Sequence, residues 1–240
     1  MSKLYLMKAD LDMVNLAKYA AEQHHSDPDR TAHCLVTESF GRAQMPKPFV
    51  IKTRVTDGAL KGTILAYTPL STEELRAIAH HNQRLAHSAV LDPSTINTVG
   101  VPDQWVEGQS IHFEVRVRPT KRTSSREPQN PNTEQDIYLG STENSSRAET
   151  YCQWLSQLMQ RQGGLQPIPE TMAMIHFARR RVRRQNTSKW TAGPDATISG
   201  VGTVINPDRM KLALAEGLGR HKGYGYGMLL LRPSARPGNL

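Results

Sequence analysis

Between Gly217 and Gly227 the chain reads GLGRHKGYGYG, five glycines and three basic side chains in eleven positions. Glycine accepts positive φ and carries no Cβ, so so dense a run lets backbone N–H groups come close to another chain. Arg220, His221 and Lys222 give any visitor to that loop an anionic character. The neighbouring elements decide which folds can hold it. Asn206 is a good helix N-cap, Pro207 suits the first helical position, and Met210, Ala213, Leu214 and Gly217 recur at helical spacing. Met228 to Leu231 then reads as a buried strand. Phosphate and dinucleotide loops run the other way, from a strand through glycines into a helix N-terminus. Here the helix comes first, so those folds are excluded and a helix must return through the glycines to a final strand.

Working backwards, the rest of the chain repeats one plan. Leu4 to Ala9 reads as a strand, and Asp10 or Asp12 can cap a helix through Leu16, Ala17, Ala20 and Ala21. After the polar break HHSDPDR, Arg30 to Phe40 presents Ala32, Leu35, Val36 and Phe40 on one face, with His33 at the edge of that stripe. Strands are expected at Phe49 to Val55 and Thr63 to Thr68. A helix capped by Ser71 with Glu74 at the capping-box position follows, and then a strand around Ile96 to Val101. From Gln104 the order starts again: Ser110 to Val117 alternates, a helix is expected from Ser146 to Gln162, strands at Thr171 to Phe177 and after the turn signals AGPDA, and then the capped helix and Met228 to Leu231. Each series is β-α-β-β-α-β, which predicts an α+β protein of two tandem ferredoxin-like (RRM-like) domains, residues 1–103 and 104–240.

Composition narrows the partners. The 240 residues carry a net charge of +8, which points to a polyanion. No apolar run approaches the roughly 18 residues a membrane-spanning helix needs. The opening MSKLYLMKADLD has charges where a signal peptide needs an apolar core, so a cytoplasmic protein without membrane association is expected. Cys34 and Cys152 form no CxxC pattern and read as buried structural residues. His80, His81 and His87 read as a solvated face, and neither a metal nor a cofactor is expected.

The charge is concentrated. Arg179, Arg180, Arg181, Arg183 and Arg184 fall at or between two strand ends, where a basic hairpin would project, and Arg116, Arg118, Lys121 and Arg122 form a second tract. The intervening SSREPQNPNTEQ reads as a loop. Basic fingers of this kind grip phosphates and the shape of an A-form helix, whose base edges are hidden in a deep groove. The aromatic RNP signature of single-strand-binding RRM sheets is missing, which leaves the arginines and the glycine loop as the binding surface.

Gly217-Leu-Gly219, then Arg220 and Lys222, then Gly225-Tyr-Gly227 resembles the glycine-rich loop of the CRISPR repeat-processing endoribonucleases. The segments YLMKADLD, AHCLVTESFG, AQMPKPFVI, FEVRVRPTKRT and GVGTVINPDRMKLALAEGLGRHKGYGYGMLLLRP together look like the type I-E member of that family, in order over most of the chain. The resemblance implies metal-independent cutting of precursor CRISPR RNA at the base of the repeat hairpin, with no cofactor. The 2′-OH attacks the adjacent phosphate to leave a 2′,3′-cyclic phosphate and a 5′-OH, and the mature CRISPR RNA stays bound within Cascade beside its other subunits. An RNA-hairpin-binding subunit without cleavage is the alternative, and an unrelated basic RNA- or ribosome-binding protein a third.

The family's catalytic histidine matches His33 in AHCLVTESF, and an imidazole is suited to exchanging protons near neutral pH. Many relatives place a tyrosine one turn earlier, where this chain has Arg30, which can neutralise phosphate charge but cannot shuttle a proton. The second acid-base group is left open among His24, His25, His221 and Lys222, with Lys222 also a stabiliser of charge. RNA contacts are expected from the two basic tracts and from Gly217, Gly219, Arg220, His221, Gly225 and Gly227.

Overall fold

The computed structural model describes residues 3–25, 27–82, 89–123, 133–140, 145–183 and 190–233. His87, Arg184 and residues 124–132 of the expected loop lie outside them.

The chain divides into two compact units: Met1–Gln104 with Leu214–Gly217 and His221–Met228, and Trp105–Ala213 with Leu218–Arg220 and Leu229–Leu240. In the first, β1 (Tyr5–Asp12), β2 (Phe49–Thr56), β3 (Ala59–Thr68) and β4 (Asn97–Gly100) form a sheet in the order β2-β3-β1-β4, every pairing antiparallel. That order, with crossover helices before β2 and before β4, is the ferredoxin-like topology. Three helices accompany the sheet: α1 (Met13–Glu22), α2 (Pro28–Phe40) and α3 (Thr72–His81). Their starts follow local chemistry. Asp12 accepts the Asn15 N–H, Asp27 accepts the Asp29 N–H with Pro28 in the first turn, and Ser71 and Glu74 complete a capping box. Pro28, expected to break the chain, instead opens α2, because the first turn needs no proline N–H. Met7, Ala9, Leu35, Val36, Phe40, Phe49, Ile64 and Leu75 are buried together in the core.

The second unit repeats the topology. Strands β5 (Ser110–Val117), β8 (Leu165–Pro167), β10 (Trp190–Val204) and β11 (Leu229–Pro233) run in the order β11-β5-β10-β8, and β9 (Ala173–Arg183) pairs with β10. Here α4 (Arg147–Leu158) and α5 (Pro207–Glu216) are the helices, and the short hairpin of β6 (Thr120–Thr123) and β7 (Thr133–Asp136) is inserted before α4. Phe113, Val115, Val117, Ala196 and Ile198 point to one buried face, where Tyr151, Leu155 and Met210 also belong to the core. The protein is thus α+β, with two ferredoxin-like folds.

Four sequence expectations are corrected. AGPDA is not a turn: Gly193, Pro194 and Asp195 lie inside β10, paired with Arg180, Arg179 and Ala178. Asp195 is drawn into the sheet because it pairs with arginines of both neighbouring strands. The helix from Ser146 is shorter than periodicity suggested, α4 passing into a π turn over Met159–Gly163 before Gly164 at φ 62°. The end of the expected loop, Thr133–Gln135, is not loop: it belongs to β7, which pairs with β6. Cys34 and Cys152 are half-buried free thiols, not buried ones.

Candidate active site

His33 stands on α2 beside the buried stripe of Thr31, Ala32, Leu35 and Val36. Its Nδ1 lies 2.8 Å from the Gly223 carbonyl oxygen, and its ring stacks on Tyr224 at 4.5 Å between centroids and 18° between planes. A carbonyl only accepts, so Nδ1 carries the hydrogen and donates it. Nε2 is left as the ring's proton-exchanging atom. Both partners come from the 3-10 turn Lys222–Tyr224, in the middle of the glycine-rich loop.

One glycine, Gly217, explains why the loop can lie there. Gly217 has φ 76°, and a Cβ on it would fall 2.9 Å from Pro48 Cβ and 3.0 Å from the Gly227 carbonyl oxygen. Gly223 presents its backbone to the imidazole, where a Cβ would sit 3.5 Å from His33 Nδ1. Further along, the buried Tyr226 hydroxyl donates to Asp29 Oδ2 at 2.7 Å, tying the loop to the first turn of α2. The loop thus approaches His33, with 214–217 and 221–228 belonging to the same compact unit as α2 rather than to the C-terminal one.

A hollow of about 430 Å³ opens beside His33, and its charged lining is Arg42, Lys47, Lys222 and Glu216. Three cations around an imidazole suit a phosphodiester. Of this set only His33 and Lys222 were singled out from sequence. Arg42 and Lys47 stand in the irregular segment between α2 and β2, where spacing carries no face information, and the sequence marks Glu216 only as part of a helix.

The remaining predicted catalytic candidates are not on the hollow's lining. Arg30 is absent from the hollow's lining, and its charge acts on the Cys34 thiol against the rise that burial causes. His25 Nε2 lies 3.9 Å from Cys34 Sγ; burial, then the Arg30 charge, push its pKa below the ordinary value. His24 is exposed just beyond α1 at φ 52°. His221 meets Tyr224 and Tyr226 edge-on.

The basic tracts divide into engaged and exposed charges. Arg116 forms a two-bond fork with the buried Asp195 carboxylate at 2.8 and 2.7 Å, and Arg180 binds the same carboxylate. Arg118 is only 7% exposed and lies where a side chain on Gly193 would have to go, 3.8 Å from Glu134. Arg220 also approaches Glu134, at 3.6 Å. Lys121, Arg122 and Arg179 are exposed. Arg181 and Arg183 continue β9 towards the hairpin end. Gly219 N–H is held by Gln162 Oε1 at 3.3 Å, and Gly225 closes the 3-10 turn at φ 84°. Among the described residues no group of three or more histidine, cysteine or carboxylate side chains converges as a metal site, and no helix is long and apolar enough to cross a membrane.

Fold and hollow together define a double ferredoxin-like protein with a cationic, histidine-bearing site on its first unit. The chain belongs to the CRISPR associated protein family, whose model matches residues 4–233. Its fold is similar to that of Thermus thermophilus Cse3, solved bound to an RNA representing a pre-cleavage complex, at 17% identity and TM-score 0.66 over 96% of this chain and 100% of that one. It is also similar to CRISPR-associated protein Cas6e from Escherichia coli K-12, at 14% identity and TM-score 0.52 over 96% and 100% of the chains. A chain of a CRISPR RNA-guided surveillance complex matches at 15% identity and TM-score 0.53, over the same shares. No curated protein sequence gives a significant match.

Proposed function

We propose that the protein is the type I-E repeat-processing endoribonuclease. On this reading it cuts precursor CRISPR RNA at the base of the repeat hairpin without a metal ion and retains the mature CRISPR RNA in a cytoplasmic Cascade complex. The observation that carries it is the fixed imidazole of His33, with Nδ1 bound to Gly223 and Nε2 free for proton exchange, on a hollow that also holds Arg42, Lys47 and Lys222. Attack of the 2′-OH on the adjacent phosphate makes a pentacoordinate species with added negative charge, and the three cations are placed to stabilise it. His33 moves a proton at one reacting oxygen; the P–O5′ bond breaks to give a 2′,3′-cyclic phosphate and a 5′-OH. Arg30, on α2 and outside the described lining of the hollow, adds positive charge for the phosphate without shuttling a proton. Membership of the CRISPR family and the RNA-bound state of the Cse3 fold relative support the substrate.

The test is single-turnover cleavage of a repeat-hairpin RNA in EDTA. Wild type should give a cyclic-phosphate product, and His33→Ala should cut about 10²–10⁴-fold more slowly, the usual span of acid-base assistance. Tight binding of RNA that stays intact would favour the hairpin-binding subunit instead.

A further inference from the structure

In-line transesterification moves two protons at opposite ends of the reacting phosphate: one leaves the 2′-OH and one reaches the departing 5′-oxygen. His33 commits Nδ1 to Gly223, so it has one nitrogen to offer and cannot serve both ends at once. The hollow's lining restricts the complement. Lys47, Lys222 and Arg42 are donors without an acceptor lone pair when charged, and the Thr37 hydroxyl is turned to Met45 Sδ at 3.4 Å. Among the described residues of this lining Glu216 is the one carboxylate, and an ionised carboxylate is acceptor-only.

Two further observations single it out. Glu216 is the last residue of α5, the negative end of the helix dipole, where a carboxylate is destabilising and a basic residue would be expected. A residue that breaks a local rule without local compensation marks a site; among the described residues no ion pair with Glu216 offsets this one. Its position is also built rather than incidental. Gly217, next in the chain, is locked at positive φ against Pro48 and the Gly227 carbonyl, which fixes the end of α5 beside Lys47.

We propose that Glu216 is the general base of the cleavage and His33 the general acid, an inference that rests on the endoribonuclease reading above. The Glu216 carboxylate takes the 2′-OH proton as the 2′-oxygen bonds to phosphorus. The P–O5′ bond breaks, and the 5′-oxygen takes the proton from Nε2 of the doubly protonated His33 ring. The Nδ1–H bond to Gly223 persists in both states of the ring. Solvent then returns a proton from Glu216 to His33, so the cycle closes without a co-reactant.

A substrate with sulfur in place of the bridging 5′-oxygen separates the two roles, because a thiolate leaves without a proton. The full-length protein is assayed in single turnover on the oxygen and the sulfur hairpin. Glu216→Gln should cut both about 100-fold more slowly than wild type, with RNA affinity equal or tighter and thermal stability retained. His33→Ala should be slow on the oxygen substrate and close to wild type on the sulfur one. Wild-type rates for Glu216→Gln on the oxygen substrate would overturn the proposal while leaving the endoribonuclease reading standing. Sulfur rescue of Glu216→Gln instead of His33→Ala would reverse, and so overturn, the assignment. A wild-type protein that leaves the oxygen substrate intact removes both readings.

Discussion

The site depends on atoms that are missing as much as on those that are present. Gly217 combines positive φ with neighbours on two sides of the place a Cβ would occupy, one of them backbone. Gly217→Ala is therefore expected to lose about 1–2 kcal/mol from left-handed strain alone, with the Pro48 contact adding to it. Thermal denaturation reads the loss, and cleavage should fall with it because the Gly223–His33 bond lies on the same loop. Gly223 sits outside the positive-φ group, and its value is the 2.8 Å approach of its carbonyl to the imidazole. A hydrogen bond of that kind assigns the tautomer, which no reading of AHCLVTESF supplies.

Among elements, β10 shows how a charge can be structural where spacing made it look like surface. Asp195 is fully buried between Arg116 on β5 and Arg180 on β9, so one carboxylate holds three strands in register. Burial acts to raise its pKa, but the Arg116 fork and Arg180 outweigh burial and hold it below the ordinary 3.8. A depressed carboxyl contributes stability that is present above the unfolded value and lost as pH falls through the folded one. Stability should accordingly decline as pH drops below about 4. Asp195→Asn should cost about 3 kcal/mol at neutral pH, as for a broken buried pair, and show less of this acid dependence. Chemical denaturation across pH 3 to 7 checks both. Arg116 and Arg180 are thereby tied to the sheet, whereas Lys121 and Arg122 on β6 and Arg179 on β9 remain exposed.

For the whole molecule the governing quantity is the net charge of +8. If RNA is held through several phosphates, bound counterions are released, and affinity for the repeat hairpin should fall about 10²-fold or more between 50 and 200 mM salt. A salt titration of binding that proved flat would show that the exposed basic side chains are not the grip.

Local chemistry was enough to read both β-α-β-β-α-β series, the Asp12, Ser71 and Asn206 caps and β5 from end to end, because periodicity and capping act within a few residues. It was enough, too, to place His33 at the edge of its stripe and to reject nucleotide loops for 217–227. Tertiary structure decided the rest. Glu216, Arg42 and Lys47 join His33 in one hollow only because distant segments meet there, and sequence spacing carries no trace of such meetings. AGPDA became strand because a buried carboxylate between two guanidiniums outweighs the local turn preference. Which residue carries which charge was written in the chain; which charges face each other followed from the fold that brought them together.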